Sequence, residues 1–257
     1  MENNVVHQIQ KIRKDNTTYN VRFVKSPTAK VYLIDWMKRA EQTLAKVVGT
    51  YSGVLDAMDV SDKTITKAVK DMHNTQLRTP LEMMYIVWLI TDVSRAFTHQ
   101  LVRTRVGASY AQESMRFLGM KNTYSILTAT NIANSKDCSS VYTDVGVLTI
   151  DTYELLLKKG IPSQDARGIL PTNILTAVFF GCALSTLANI YKQRMCCQAQ
   201  AGEWQDVLTK MKDLANNTLG ANISSFLKAP YEYPEPCGFE ASFDRPCIYK
   251  DKNGISE

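Results

Sequence analysis

The sequence is poor in the residues that would staple it or load it with metal. Its 257 residues include only six cysteines and three histidines, far too few cysteines for a disulfide scaffold, and none forms a C-x-x-C pair. Cys196 and Cys197 are adjacent, so on a helix their side chains diverge and chelate poorly. His7, His73 and His99 lie far apart without paired ligand spacing, and no metal site is expected. Long apolar runs are missing too. The greasiest stretch, Leu81 to Ile90, is broken by Glu82 and followed by Asp92, which excludes a membrane-spanning helix. Met1 to Asp15 carries charges without the apolar core of a signal peptide, which predicts a cytoplasmic protein. Charge of one sign is scarce: 30 Lys+Arg stand against 25 Asp+Glu, a net +5. With no lysine-rich stripe, nucleic acid is not the expected partner.

What is present is enough apolar material, 45% of residues, to fill a sizeable core. One domain is expected over residues 1–230, with an irregular extension at 231–257, where four of the eight prolines fall from Pro230 onward. Residues 20–25 alternate apolar and polar ahead of Ser26-Pro27 and predict a short strand. Apolar spacing predicts a helix over Ala29 to Val48, and Ser61-Asp62 cap a second towards Met72. Glu82 to Ile90, rich in aromatic and β-branched residues, predicts a buried strand. Asp92 or Ser94 then caps a helix running to about Arg105, with Gly107 inviting a break. Further helices are predicted over Asp144 to Lys159, from Leu170-Pro171 through Phe179 to Ile190 as the longest, and over Gly202 to Asn216. Without an internal repeat, the fold-class reading is α+β, a mixed or antiparallel sheet packed with long helices.

Chemistry concentrates between Arg95 and Lys121. Four arginines, Arg95, Arg103, Arg105 and Arg116, face a single acid, Glu113, with Ser109, Gln112 and Ser114 interleaved. Guanidinium forks and hydroxyls suit a phosphorylated small molecule, a nucleotide for example. A basic surface patch without a ligand is the other reading. Arg95 has a ready partner in Asp92 on the adjoining turn, and His99 reads as a helix-packing residue.

The arrangement is more specific than the charge. Gln100-Leu-Val-Arg103-Thr104-Arg105, then Ser109-Tyr110, then Ser114-Met-Arg116-Phe117 resembles the signature of flavin-dependent thymidylate synthases. Thr79-Pro80-Leu81-Glu82, Ala166-Arg167-Gly-Ile-Leu170-Pro171-Thr-Asn173, and Asn189 with Arg194 stand in that family's order, so the resemblance covers roughly residues 75–212. It implies methylation of dUMP at C5 to dTMP with methylenetetrahydrofolate, a hydride from reduced FAD, and NADPH to reduce the flavin. It also implies a homotetramer whose active sites are built from more than one chain. By residue, it assigns Gln100, Arg103, Gln112, Glu113, Ser114, Arg116, Arg167 and Arg194 to dUMP. Thr79, Arg103, Thr104, Arg105, Gln112 and Asn189 are assigned to FAD, and Arg194 to activating the uracil ring.

The family's central histidine is replaced by Thr104, one residue is added near Gly107, and Leu77, Ala183 and Gln198 stand where the family carries histidine or asparagine. Most departures fall on the flavin side. They leave two alternatives, C5 hydroxymethylation of dUMP or dCMP, and a non-catalytic nucleotide-binding relative. Asn189 and Arg194, five residues apart, sit about 140° apart on a regular helix. That spacing predicts that one faces the flavin and the other the nucleotide.

Overall fold

Tyr19, Val21 and Phe23 are buried at every second position, and this period of two makes residues 18–25 a strand. The computed structural model describes residues 4–13, 17–53, 60–75, 78–120, 122–196 and 202–233. β1 (Val5–Ile12) pairs antiparallel with β2 (Thr18–Lys25), and β2 pairs parallel with β6 (Thr123–Thr128). A second sheet orders its strands β3 (Lys30–Trp36), β4 (Tyr85–Ser94), β7 (Leu175–Ala183) and β5 (Ala108–Gln112). The helices are α1 (Ala40–Tyr51), α2 (Asp62–Asn74), α3 (Thr79–Glu82), α4 (Arg95–Leu101), α5 (Thr130–Ala133), α6 (Lys136–Lys158), α7 (Ser163–Ala166), α8 (Leu184–Arg194), α9 (Glu203–Leu219) and α10 (Ala221–Ser224). The fold is α+β, helix-rich, with mixed sheet pairing.

The chain divides into two compact units. The first comprises residues 1–30, 90–103 and 111–178. Its core packs Tyr19, Val21, Phe23, Tyr124 and Ile126 of the first sheet against Ile150 and Tyr153 of α6 and against Ile174. Tyr124 meets Tyr19 and Tyr153 edge-on at 5.9 and 6.0 Å, the arrangement that aromatic quadrupoles favour. The second unit comprises residues 31–89, 104–110 and 179–257. Its buried side chains include Leu44, Ile65, Met72, Leu187, Trp204, Val207 and Met211. Ser61 caps α2 by accepting from Thr64 N at 3.3 Å, and Gly160, at φ +84°, follows the end of α6.

Several expected elements differ. The helix expected over Ala29 to Val48 is β3 followed by α1, separated at Arg39, which adopts φ 61°. Tyr32 and Ile34 are exposed on β3, so its apolar residues do not mark one buried face and mimic a helical period. The longest helix is α6, which begins at Lys136 and not near Asp144. The helix expected from Leu170 is instead β7 followed by α8, and Pro171 precedes the strand. The capped helix after β4 ends at Leu101, short of Arg105. Cys196 lies beyond the end of α8. Leu77, Gln198, Cys197 and the extension from residue 234 onward lie outside the described residues. No helix among the described residues is long and apolar enough to cross a membrane.

Candidate functional site

In the first unit the candidate residues are set by three backbone ties. Ser94 is fully buried and its Oγ accepts from Phe97 N at 3.0 Å, capping α4. The backbone N–H groups of Arg95 and Ala96 donate to Ile174 O and Thr172 O at 3.1 and 2.9 Å, fastening α4 to the loop after Pro171. Glu113 N donates to Ala177 O at 3.0 Å, fastening the segment after β5 to β7. α4 thus presents Gln100 and carries the chain to Arg103, while the end of β5 presents Gln112 and the segment after it Glu113, Ser114 and Arg116.

The side chains interlock around these ties. Thr98 Oγ1 donates to Arg95 O at 3.1 Å and accepts a short hydrogen bond from Gln112 Nε2. Ser114 Oγ accepts from Arg116 Nε at 3.1 Å. Thr176 Oγ1 donates to Glu113 Oε2 at 3.5 Å. Arg167, exposed after α7, donates to Gln164 O at 3.1 Å. A cavity of about 250 Å³ opens beside Glu113, with Thr91, Asp92, Ser125 and Thr176 in its wall.

Arg95 is the residue that sequence reasoning misjudged. Asp92 is paired with Lys30 Nζ at 2.7 Å, whereas Arg95 Nη1 donates to Glu113 O at 3.4 Å. Burial, and then the charge of Arg167, hold the Arg95 guanidinium below arginine's usual pKa, with Glu113 opposing. Two guanidinium groups that disfavour each other, balanced by one carboxylate, are what an incoming anion would relieve. The signal was the run of four arginines itself. Thr98, which holds Gln112, carried none. His99 is exposed and does not pack as expected.

The second unit holds Thr79, Thr104, Arg105, Asn189 and Arg194. Gly107, at φ +64°, turns the chain between Arg105 and β5. Its carbonyl accepts from Ala183 N at 2.9 Å, and Thr186 Oγ1 donates to Val106 O at 2.9 Å, so the turn is pinned to the start of α8. Tyr110 OH donates to Thr104 O at 2.6 Å and its ring stacks on Phe180 with centroids 5.3 Å apart. Burial pushes the Tyr110 phenol up to about 12, so it remains a donor at neutral pH. Asn189 is exposed on α8, and Arg194, half-buried at its end, lays its guanidinium 5.0 Å over the Trp204 ring. The two side chains occupy different surroundings.

Thr79, Arg103, Arg105 and Asn189 have no side-chain hydrogen bond or ion pair among the described residues. In the second unit the guanidinium of Arg105 and the carboxamide of Asn189 are donors of the kind that fit a diphosphate and a heteroaromatic edge. No group of three or more His, Cys, Asp or Glu residues is placed to hold a metal among the described residues.

Known proteins are similar to this chain. A family model described as thymidylate synthase complementing protein, Thy1, matches residues 32–219. The chain belongs to the Thy1 family. Its relatives within that family include the flavin-dependent thymidylate synthase of Clostridium tetani, 25% identical over 221 residues, covering 75% of this chain and 86% of the relative. That of Pyrococcus furiosus is 27% identical over 191 residues, covering 71% and 77%. Two solved structures share the Thy1 fold with this chain. The UMP/dUMP methylase PolB from Streptomyces cacaoi, bound with 5-Br dUMP, superposes with a TM-score of 0.66 at 15% identity, over 79% of this chain and 95% of that one. ThyX from Helicobacter pylori, with FAD and dUMP, gives 0.62 at 16% identity, over 78% and 100%.

Proposed function

We propose that this Thy1-family protein is a flavin-dependent thymidylate synthase that converts dUMP to dTMP. A methylene group is released from the folate nitrogen of methylenetetrahydrofolate and joins C5 of the uracil, the C5 proton is lost, and a hydride completes the methyl group. The observation that carries the reading is that the charges of Arg95 and Arg167 act on one another, with Glu113 opposing, and that Arg95 holds the carbonyl at the start of the segment bearing Ser114 and Arg116. A dUMP phosphate bears close to two negative charges, and binding it away from water requires several fixed cations. Arg116, Arg167 and Arg103 take the phosphate. Ser114, Gln112, Glu113 and Gln100 orient the sugar and fix register through hydrogen bonds. Arg194 stabilises negative charge developing on the uracil ring, since a guanidinium stays protonated throughout.

Reduced FAD, when bound, would supply the hydride, and NADPH would reduce it again. Arg103 and Arg105 would hold its diphosphate, and Thr79, Thr104, Gln112 and Asn189 would complete the contacts. Many of these side chains are exposed in the single chain, which supports active sites completed by neighbouring copies in a homotetramer. The protein acts in the cytoplasm.

One observation favours a second reading. Thr104 stands where the family carries an imidazole, and its carbonyl is held by Tyr110, so the departures from the family's pattern fall mostly on the flavin side. C5 hydroxymethylation of dUMP or dCMP would follow if water rather than hydride completed the reaction. Turnover of dUMP with FAD, methylenetetrahydrofolate and NADPH tests the proposal, alongside Arg194→Ala. The variant is expected to lose turnover while keeping its yellow flavin. Retained activity would remove Arg194 from its role, and a colourless wild-type protein that binds dUMP without turnover would make this a binding protein.

A further inference from the structure

Helix α6 has two apolar faces, and only one of them is covered. Ser139, Thr143, Gly146, Ile150 and Tyr153 are buried. Gly146 lets the helix lie directly on β2 and β6, where a Cβ would come within 2.6 Å of the Phe23 ring and 3.2 Å of Ile126. On the opposite side Val141, Val145, Leu148 and Leu155 are exposed, Leu148 by 65%. At 100° per residue these four and Thr152 fall within about 80° of arc. That is a helix-packing seam, not a scatter of surface apolar residues.

We infer that this seam pairs antiparallel with the same seam of a second copy of this chain, about a two-fold axis at Leu148. The inference deepens the homotetramer proposed above and rests on it for the expectation that copies associate. The seam reads nearly alike in both directions: Val141 and Leu155 stand seven residues either side of Leu148, and Val145 and Thr152 three and four. An isologous contact requires such self-complementarity.

Charge selects the same direction. The first turn of α6 carries Asp137 on the seam side, with Lys136 about 100° further round the helix, and its end carries Lys158 and Lys159. Antiparallel pairing sets Asp137 against the partner's Lys159 and Lys158, whereas parallel pairing would stack like charges. Asp151, which approaches the partner's Asp144, is already neutralised by Lys11 Nζ at 3.1 Å. The length of the seam also fits. A helix of 23 residues is about 34 Å long, too narrow alone for the roughly 800 Å² per partner of a stable interface. A groove of about 490 Å³ at the Leu155 end, walled also by Ile12, Arg13, Asp151 and Lys158, widens it.

The test uses the full chain. Leu148→Cys in a Cys138→Ser background is oxidised mildly and run without reductant. A reductant-sensitive covalent dimer is expected, while Thr66→Cys on the exposed side of α2 and the Cys138→Ser parent give none. Sedimentation of Leu148→Glu should show at least a halved mass with helicity unchanged. Asp137→Lys and Lys159→Asp should each weaken association, and the double variant should restore it. Failure of Leu148→Cys to cross-link in an associated protein, a Leu148→Glu protein of wild-type mass, or a monomeric wild type would overturn the inference. An active enzyme whose Leu148→Cys variant stays uncross-linked refutes this contact alone. A cross-linked protein that makes no thymidylate refutes the proposed function alone.

Discussion

The guanidinium of Arg95 and the backbone carbonyl of Glu113 are joined across 18 residues of chain, Nη1 to O at 3.4 Å. A side chain from the first turn of α4 thereby fixes the start of the segment that carries Ser114 and Arg116. Hydrogen bonds from charged groups are worth about 1.5–3 kcal/mol. Arg95→Met is expected to weaken dUMP binding by roughly ten- to a hundredfold on that scale, measured by calorimetric titration. Arg95→Lys, which keeps the charge and loses the fork, should recover only part of it. Unchanged affinity in Arg95→Met would remove this residue from the site.

The turn at Gly107 makes a second prediction. A left-handed backbone costs a residue with a Cβ about 1–2 kcal/mol, and a Cβ here would also stand 2.5 Å from Thr186 Oγ1. Gly107→Ala should therefore lower the unfolding free energy by at least about 1 kcal/mol in denaturant titration. Because Gly107 pins the turn after Arg105 to α8, FAD affinity should fall as well.

His73 should make stability depend on acid. Its Nε2 meets Ser225 Oγ at 2.9 Å and its ring stacks on Phe226 at 4.5 Å. Burial first, then the charges of Lys228 and Arg78, hold its pKa below the usual histidine value of 6.5. The folded chain therefore resists protonation that the unfolded chain accepts. Stability is fully present above about pH 6.5 and is lost as pH falls through the lower folded value. Melting temperature should drop between neutral pH and pH 5 more steeply in the wild type than in His73→Gln.

The caps give a paired comparison. Ser94→Ala removes a buried cap from α4, the helix that presents Gln100, and should cost about 1–2 kcal/mol, at the upper end of cap substitutions. Ser61→Ala, at the exposed start of α2, should cost about 0.5–1 kcal/mol. Only the first should also raise the KM for dUMP.

These residues also show what was legible before any coordinates. Ser61 and Ser94 cap helices as read, because a hydroxyl before an apolar-periodic run satisfies N–H groups that nothing else can. β4 was legible from its β-branched and aromatic run. β7 was not: Leu175 to Ala183 is buried at consecutive positions near its end and runs straight into α8, so no change of period marks the junction. The first half of α6 was missed because its buried positions are Ser139, Thr143 and Gly146, none with a large apolar side chain, Gly146 lying directly on Phe23. At the candidate site the motif residues were readable as a pattern. The exchange of partners, Lys30 on Asp92 and Arg95 on Glu113, depends on contacts distant in sequence and leaves no local trace.

Product mass tests the central claim most directly. The protein is incubated with dUMP, or in parallel dCMP, together with methylenetetrahydrofolate, FAD and NADPH, and the nucleotide is identified by mass spectrometry. The account predicts thymidylate from dUMP, heavier than the substrate by one methylene unit, with dCMP unchanged. A hydroxymethyl nucleotide, or nucleotides recovered unaltered with all four components present, would contradict it.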